Sequence, residues 1–184
     1  MNIKFKQKKL KASTLFFSIL SIVVLFYYVI TFILIRLNTT SSVKKGLYTI
    51  EKPTAIISGD YIAFCLSDKL ANIAQSNGYI AKGECPNNSQ PLLKKVIATP
   101  GDIVTINNEH VEILNTTSKN SYFLTTFKND LKGNQIPKTT HNGTKKINGF
   151  WVIGDNNMRS WDSRYFGEIS KESILYKAHA LLVF

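Results

Sequence analysis

The sequence predicts a mainly β domain carried behind one N-terminal transmembrane helix. Three observations predict it. Residues 37–184 break into short alternating apolar runs separated by Gly, Asn, Asp and Pro turns, with room for only one small helix. Leu15 to Ile35 is a 21-residue run without a charged side chain, interrupted only by Ser18, Ser21 and Thr31. About 20 apolar residues span a bilayer core. The stretch ahead of that run is rich in lysine and free of acid, which is the flank a membrane-inserted helix keeps in the cytoplasm.

That flank contains Lys4, Lys6, Lys8, Lys9 and Lys11, and few charges follow the apolar run closely. Residues 1–13 therefore read as a basic cytoplasmic head, 14–36 as a transmembrane signal-anchor, and 37–184 as a domain on the far side. In a bacterium this is a single-pass protein of the inner membrane, in contact with its lipid, with the domain in the periplasm. A cleavable signal peptide would have an apolar region of about 7–15 residues closed by small residues. This run is longer and passes through Ile35-Arg36-Leu37-Asn38-Thr39-Thr40 without such a site.

Beyond the anchor, Asn38–Ile50 turns from polar to extended, with Gly46 as a turn or close approach and Leu47–Ile50 as a first strand. Asp60–Leu66 alternates as a second. Ser67 is placed to cap a helix over Asp68–Asn77, with Leu70, Ile73 and Ala74 on one face and Gly78 ending it. Gly83–Asn88 is a loop. Pro91–Asp102 is an apolar run of strand character closed by a Pro100-Gly101-Asp102 turn; Asp102–Ile106 and His110–Leu114 then form a hairpin turning at Asn107-Asn108. Residues 115–149, rich in Asn, Thr, Lys and Gly, give one strand at Tyr122–Thr126. Phe150–Ile153 leads into the loop Gly154–Gly167, and Ala178–Phe184 closes the domain as a strand.

Over 184 residues the chain has 23 Lys+Arg against 12 Asp+Glu, a formal charge of +11. The length suits one domain whose core is stable without metals. Residues 1–36 hold +6 of the excess, beside the apolar run, so a membrane accounts for it. No nucleic-acid partner is expected, since that would call for a basic patch interleaved with aromatics on the folded domain. Cys65 and Cys85 are too few for a four-ligand zinc site and the three histidines show no ligand spacing, so neither metal nor cofactor is expected. The residues alone leave one disulfide or two free thiols. In the periplasm disulfides persist, and a Cys65–Cys85 bond closing a 19-residue loop is the expectation there.

The run Pro91–Asp102 is unusual in having two lysines at its middle. Alternation puts Leu92, Lys94, Val96 and Ala98 on one face and Leu93, Lys95 and Ile97 on the other, both apolar apart from the lysines. Either the lysines snorkel from a partly covered strand, or one is buried. A buried amine is pushed toward its neutral form and becomes a proton acceptor. Serines that such a base could activate are Ser41 or Ser42 just past the anchor; Ser160, with Asp162 and Arg164, belongs to the last loop. A serine cluster after a membrane segment also reads as a solvated linker, and Asp162 with Arg164 as a structural ion pair.

Three separated segments resemble the membrane-bound type I signal peptidases. Lys94, six residues before Pro100, stands where their catalytic lysine stands. Gly154-Asp155-Asn156 followed by Ser160, Asp162, Ser163 and Arg164 is similar to their last box. Asn38-Thr39-Thr40-Ser41-Ser42 followed by Gly46-Leu47-Tyr48 most resembles the nucleophile segment of the TraF-type conjugal transfer peptidases. Small size, a single anchor, two cysteines flanking a short helix and the Ser160–Gly167 ending add to that likeness. The chain departs from the family in one place. Where the family has Ser, an apolar residue, then Pro, this chain has Ser42-Val43-Lys44, and without the proline Ser41 stays open beside Ser42.

The resemblance implies a signal-peptidase-like β-rich catalytic domain using a serine–lysine pair. Ser42 is then the nucleophile and Lys94 the base, Ser160 orients the amine, and the Ser42 amide with the Thr40 hydroxyl forms the oxyanion hole. Its substrates would be secreted precursors, or pilin precursors if the TraF likeness holds, with components of a conjugation or type IV secretion apparatus as partners. Two rivals remain: a housekeeping type I signal peptidase, and a catalytically inactive component that binds precursors without cutting them.

Overall fold

The computed structural model describes the backbone of residues 3–184 and the side chains of residues 15–29 and 34–184. The chain forms two compact units, Met1–Arg36 and Leu37–Phe184. In the first, helix α1 (Ile3–Leu34) runs through most of the expected head and stops short of the expected end of the anchor. Ile35 already opens strand β1 (Ile35–Asn38). Side chains from Leu15 to Val29 are exposed. Among the described residues no helix is long and apolar enough to cross a membrane. The head 1–13 and, within the 14–36 span, residues 14 and 30–33 lie outside the described side chains.

The second unit is built from strands β2 (Gly46–Glu51), β3 (Tyr61–Phe64), β4 (Leu92–Ala98), β5 (Ile103–Ile106), β6 (His110–Leu114), β7 (Ser121–Thr125), β8 (Gly143–Lys146), β9 (Trp151–Ile153) and β10 (Ile174–Val183). Helix α2 (Asp68–Ser76) lies between β3 and β4, and a single helical turn, α3 (Ser163–Phe166), follows β9. A six-stranded sheet has the order β1-β2-β10-β3-β4-β9 and a four-stranded sheet the order β7-β6-β5-β8. The lysine strand β4 is interior to the larger sheet. It pairs antiparallel with β3, Ile62 opposite Lys94, and with β9, Val152 opposite Val96.

The apolar alternation read from the sequence sorts into cores. Leu92 and Val96 of β4 join Ile62, Phe64, Val152, Trp161 and Tyr165 in the largest cluster. Ile97, Ala98 and Trp151 join Val104, Ile106, Val111, Ile113 and Ile147 in a second, which ties the ends of β4 and β9 to the smaller sheet. The turn between the sheets is fixed by Asp102, almost fully buried. Its carboxylate accepts from the amides of Thr99 and Thr116, both at 2.8 Å, satisfying a charge that burial would otherwise make costly. Gly46 takes φ +152°, and a Cβ there would run into the Leu182 carbonyl, so β2 and β10 meet only because this residue has no side chain.

Cys65 and Cys85 form a disulfide, joining the end of β3 to the loop before β4. Ser67 stands at the N-cap of α2 as expected, but its side chain makes no capping hydrogen bond. Unforeseen elements are β1, β8, α3 and the first half of β10, which starts at Ile174 and not at Ala178. Strand β8 is polar and exposed at all four positions and lies at a sheet edge, so it offers no apolar alternation to read.

Candidate active site

The geometry of β4 decides which lysine goes inside. Lys94 shares the face of Leu92 and Val96 and keeps only 2 % of its surface exposed. Lys95 points the other way, is 36 % exposed, and pairs with Asp155 at 3.5 Å. Asp155 also accepts from the Tyr61 hydroxyl at 2.7 Å. Snorkelling is thus excluded for Lys94, whose amine lies within the domain.

At the end of that side chain two serines from distant segments converge. Lys94 Nζ is hydrogen-bonded to Ser42 Oγ at 2.8 Å and to Ser160 Oγ, and the two hydroxyls are 3.0 Å apart. Burial pushes the Lys94 amine down to about 8. Arg164 adds to that push, while Asp162 and Asp155 pull the other way. A lysine that loses its proton at about pH 8, in contact with a serine hydroxyl, can in its neutral form accept that hydroxyl's proton.

Ser42 belongs to residues 39–45, which lie between β1 and β2 and have no regular structure. Fully buried Val43 anchors the segment against Tyr48 and Ala178. Asn156 holds its backbone, donating from its amide N–H to the Ser42 carbonyl and from Nδ2 to the Ser41 carbonyl, both at 3.1 Å. Ser41 is exposed; Ser42 is the one that reaches Lys94. The Thr40 hydroxyl donates to Asn38 Oδ1 at 2.8 Å, so its hydrogen is engaged away from the Lys94 amine.

Ser160 is placed by an ion pair behind it. Asp162 and Arg164 are both buried, and the carboxylate accepts a fork from the guanidinium, Nε to Oδ1 and Nη2 to Oδ2, each at 2.8 Å. The same carboxylate receives the Gly154 amide at 3.0 Å. Arg164 also reaches the Ser160 carbonyl at 3.2 Å and the Thr125 carbonyl at 2.8 Å. The pair therefore ties the loop ahead of Ser160, Ser160 itself and β7 into one block. Gly154 faces the serines so closely that a Cβ would overlap the Ser160 side chain and press on the Ser42 carbonyl at 2.9 Å.

Residues 8–183 match the sequence pattern of the family described as signal peptidase, peptidase S26. The chain belongs to that family. It is similar to a plasmid transfer protein TraF of Escherichia coli, 29 % identical over 145 residues that cover 76 % of this chain and 78 % of the relative. A conjugal transfer protein TraF of Agrobacterium fabrum is 31 % identical over 151 residues, covering 81 % of this chain and 82 % of the relative. The signal peptidase match runs through every segment that meets at Lys94.

Of the residues singled out from sequence, Ser42, Lys94 and Ser160 come together, with Asp162 and Arg164 directly behind them. Asn38 and Asn156 stand in the sequence only as letters of motifs, with no role attached. Both act through backbone carbonyls, which leave no trace in residue pattern.

Proposed function

We propose that this protein is a membrane-anchored serine endopeptidase that cleaves precursors of exported proteins with a Ser42–Lys94 pair. One observation carries the reading: a lysine amine, almost wholly buried and pushed down to about 8, in hydrogen-bond contact with Ser42. The anchor is the apolar segment 14–36, crossing the inner membrane once, with residues 37–184 in the periplasm.

The steps follow from these groups. The neutral Lys94 amine takes the Ser42 proton as Oγ adds to the scissile carbonyl. The Ser42 amide, which makes no hydrogen bond among the described residues, is free to donate to the oxyanion, a contact worth about 3–4 kcal/mol in such sites. Thr40 can join it only by releasing Asn38. As the intermediate collapses, the Lys94 ammonium returns the proton to the leaving amine. Water then enters and adds to the Ser42 ester as Lys94 takes its proton, and Lys94 returns that proton to Ser42 Oγ as the acid product leaves. Ser160 holds the amine in line throughout.

The relatives' names support a conjugative role, and we assign the substrate to a transfer-apparatus precursor such as a pilin. The test is cleavage of that precursor by purified variants. Ser42→Ala and Lys94→Ala should each abolish it, and the double variant should be no worse, because groups acting as one unit are not additive. Lys94→Arg should fail, since a guanidinium does not give up its proton. Ser41→Ala and Lys95→Ala should keep substantial activity. Normal cleavage by Ser42→Ala would remove the mechanism.

A further inference from the structure

The segment presenting Ser42 lacks the restraint its resemblance leads one to expect, because Lys44 stands where a proline would fix the backbone. Yet every carbonyl from Thr40 to Lys44 is held. Asn156 takes those of Ser41 and Ser42. Asn38 Nδ2 takes the other three: Thr40 at 3.2 Å, Val43 at 3.2 Å and Lys44 at 3.0 Å. The Lys44 carbonyl also accepts from the Tyr48 hydroxyl at 2.7 Å. On the other side of the same amide, Asn38 Oδ1 accepts from the Thr40 N–H at 3.1 Å and the Thr40 hydroxyl at 2.8 Å.

Asn38 is buried, at 8 % exposure, and its donors and its acceptor are all engaged. Two amide hydrogens shared among three carbonyls make individually ordinary bonds. What matters is that both limbs of the serine-bearing loop are drawn to one point. Leaving such a buried amide unsatisfied is more costly than any one bond it makes is worth.

We infer that Asn38 is the positioning residue of the nucleophile, closing the Ser42 loop by side-chain hydrogen bonds where a proline would close it by its ring. The assignment rests on Ser42 being the nucleophile. Asn38 touches no reacting atom; it acts by setting where Ser42 Oγ lies relative to Lys94 Nζ. It also holds the Thr40 hydroxyl.

Asn38→Asp tests this, being nearly isosteric. It keeps the oxygen that receives Thr40 and loses the amide donors. The expected result on a precursor peptide is a fall in kcat of about tenfold or more with KM within about twofold, since misplacing a reactive group weakens the chemical step. Lys44 is exposed and its N–H makes no hydrogen bond among the described residues, so Lys44→Pro removes no backbone hydrogen bond. Adding Lys44→Pro to Asn38→Asp should return kcat to within about threefold of the parent, because proline restores a fixed backbone. Measured per folded molecule, that recovery has no explanation in fold stability alone or in the added carboxylate charge. A parental kcat for Asn38→Asp, a change confined to KM, or a loss that proline leaves in place overturns the inference. Ser42→Ala in the same assay keeps the two readings apart. Cleavage by Ser42→Ala sinks the proposed function itself, whereas an inert Ser42→Ala beside a fully active Asn38→Asp sinks only the role of Asn38.

Discussion

On the proposed mechanism Lys94 sets the pH dependence of cleavage, because burial favours its neutral amine. Cleavage should therefore rise with pH through a midpoint near 8, the value to which the amine is pushed, and a rate profile on a precursor peptide reads this directly. The same shift has a consequence for stability. Between about 8 and the ordinary value of 10.5 the unfolded chain binds the proton that the folded chain has released, so stability rises with pH across that window. Below about 8 the full cost of burying the charge is present, roughly 3 kcal/mol for a shift of that size. Lys94→Met removes that cost, and Ser42 and Ser160, 3.0 Å apart, can still bond to each other. The variant should be inactive and yet unfold at higher urea at neutral pH, with the gain shrinking as pH rises past 8. A less stable Lys94→Met would mean that its hydrogen bonds outweigh its desolvation.

Among the elements, the Asp162–Arg164 turn joins stability to the site. Arg164→Met leaves the Asp162 carboxylate buried without its partner and should destabilise the domain by about 3–5 kcal/mol in urea unfolding. Cleavage should fall even where the variant stays folded, because Arg164 also holds the Ser160 carbonyl. The disulfide is a separate staple. Loop-closure entropy for its 20-residue separation gives about 3 kcal/mol, and a Cys65→Ser/Cys85→Ser variant should lose that much while keeping its cleavage rate per folded molecule. Legibility of these elements from sequence followed their burial. Strands β4, β5 and β6 pack on clear cores and their alternation gave them to within a residue. Strand β1 was hidden because its apolar start is continuous with the apolar helix before it. Turn α3 was hidden because it is four residues long and set by the Asp162 carboxylate accepting the Arg164 amide, a local bond without periodicity. At the site, alternation separated Lys94 from Lys95 onto opposite faces but did not say which face was covered. That depended on Ser160 and Trp161 arriving from another part of the chain.

For the whole molecule the uneven charge is the controlling feature. Of the formal +11, +6 lies in residues 1–36 beside the charge-free run Leu15–Ile35, and the rest is spread through the domain. Positive flanks stay in the cytoplasm when an apolar helix inserts, so the proposal places residues 1–13 inside and residues 37–184 outside. The Cys65–Cys85 disulfide agrees with that direction, since such bonds persist in the periplasm and are reduced in the cytosol. Leu37–Phe184 is a compact unit by its own contacts, so a fusion made near its start tests topology without relying on the fold. Alkaline phosphatase joined after Ile50, which needs an oxidising compartment, should be active in cells, and a β-galactosidase fusion at the same point should not be. Replacing Lys4, Lys6, Lys8, Lys9 and Lys11 with glutamine should lower the phosphatase signal, because those lysines supply the asymmetry. A strong β-galactosidase signal with silent phosphatase would put the domain in the cytoplasm and end the proposal that it cuts exported precursors.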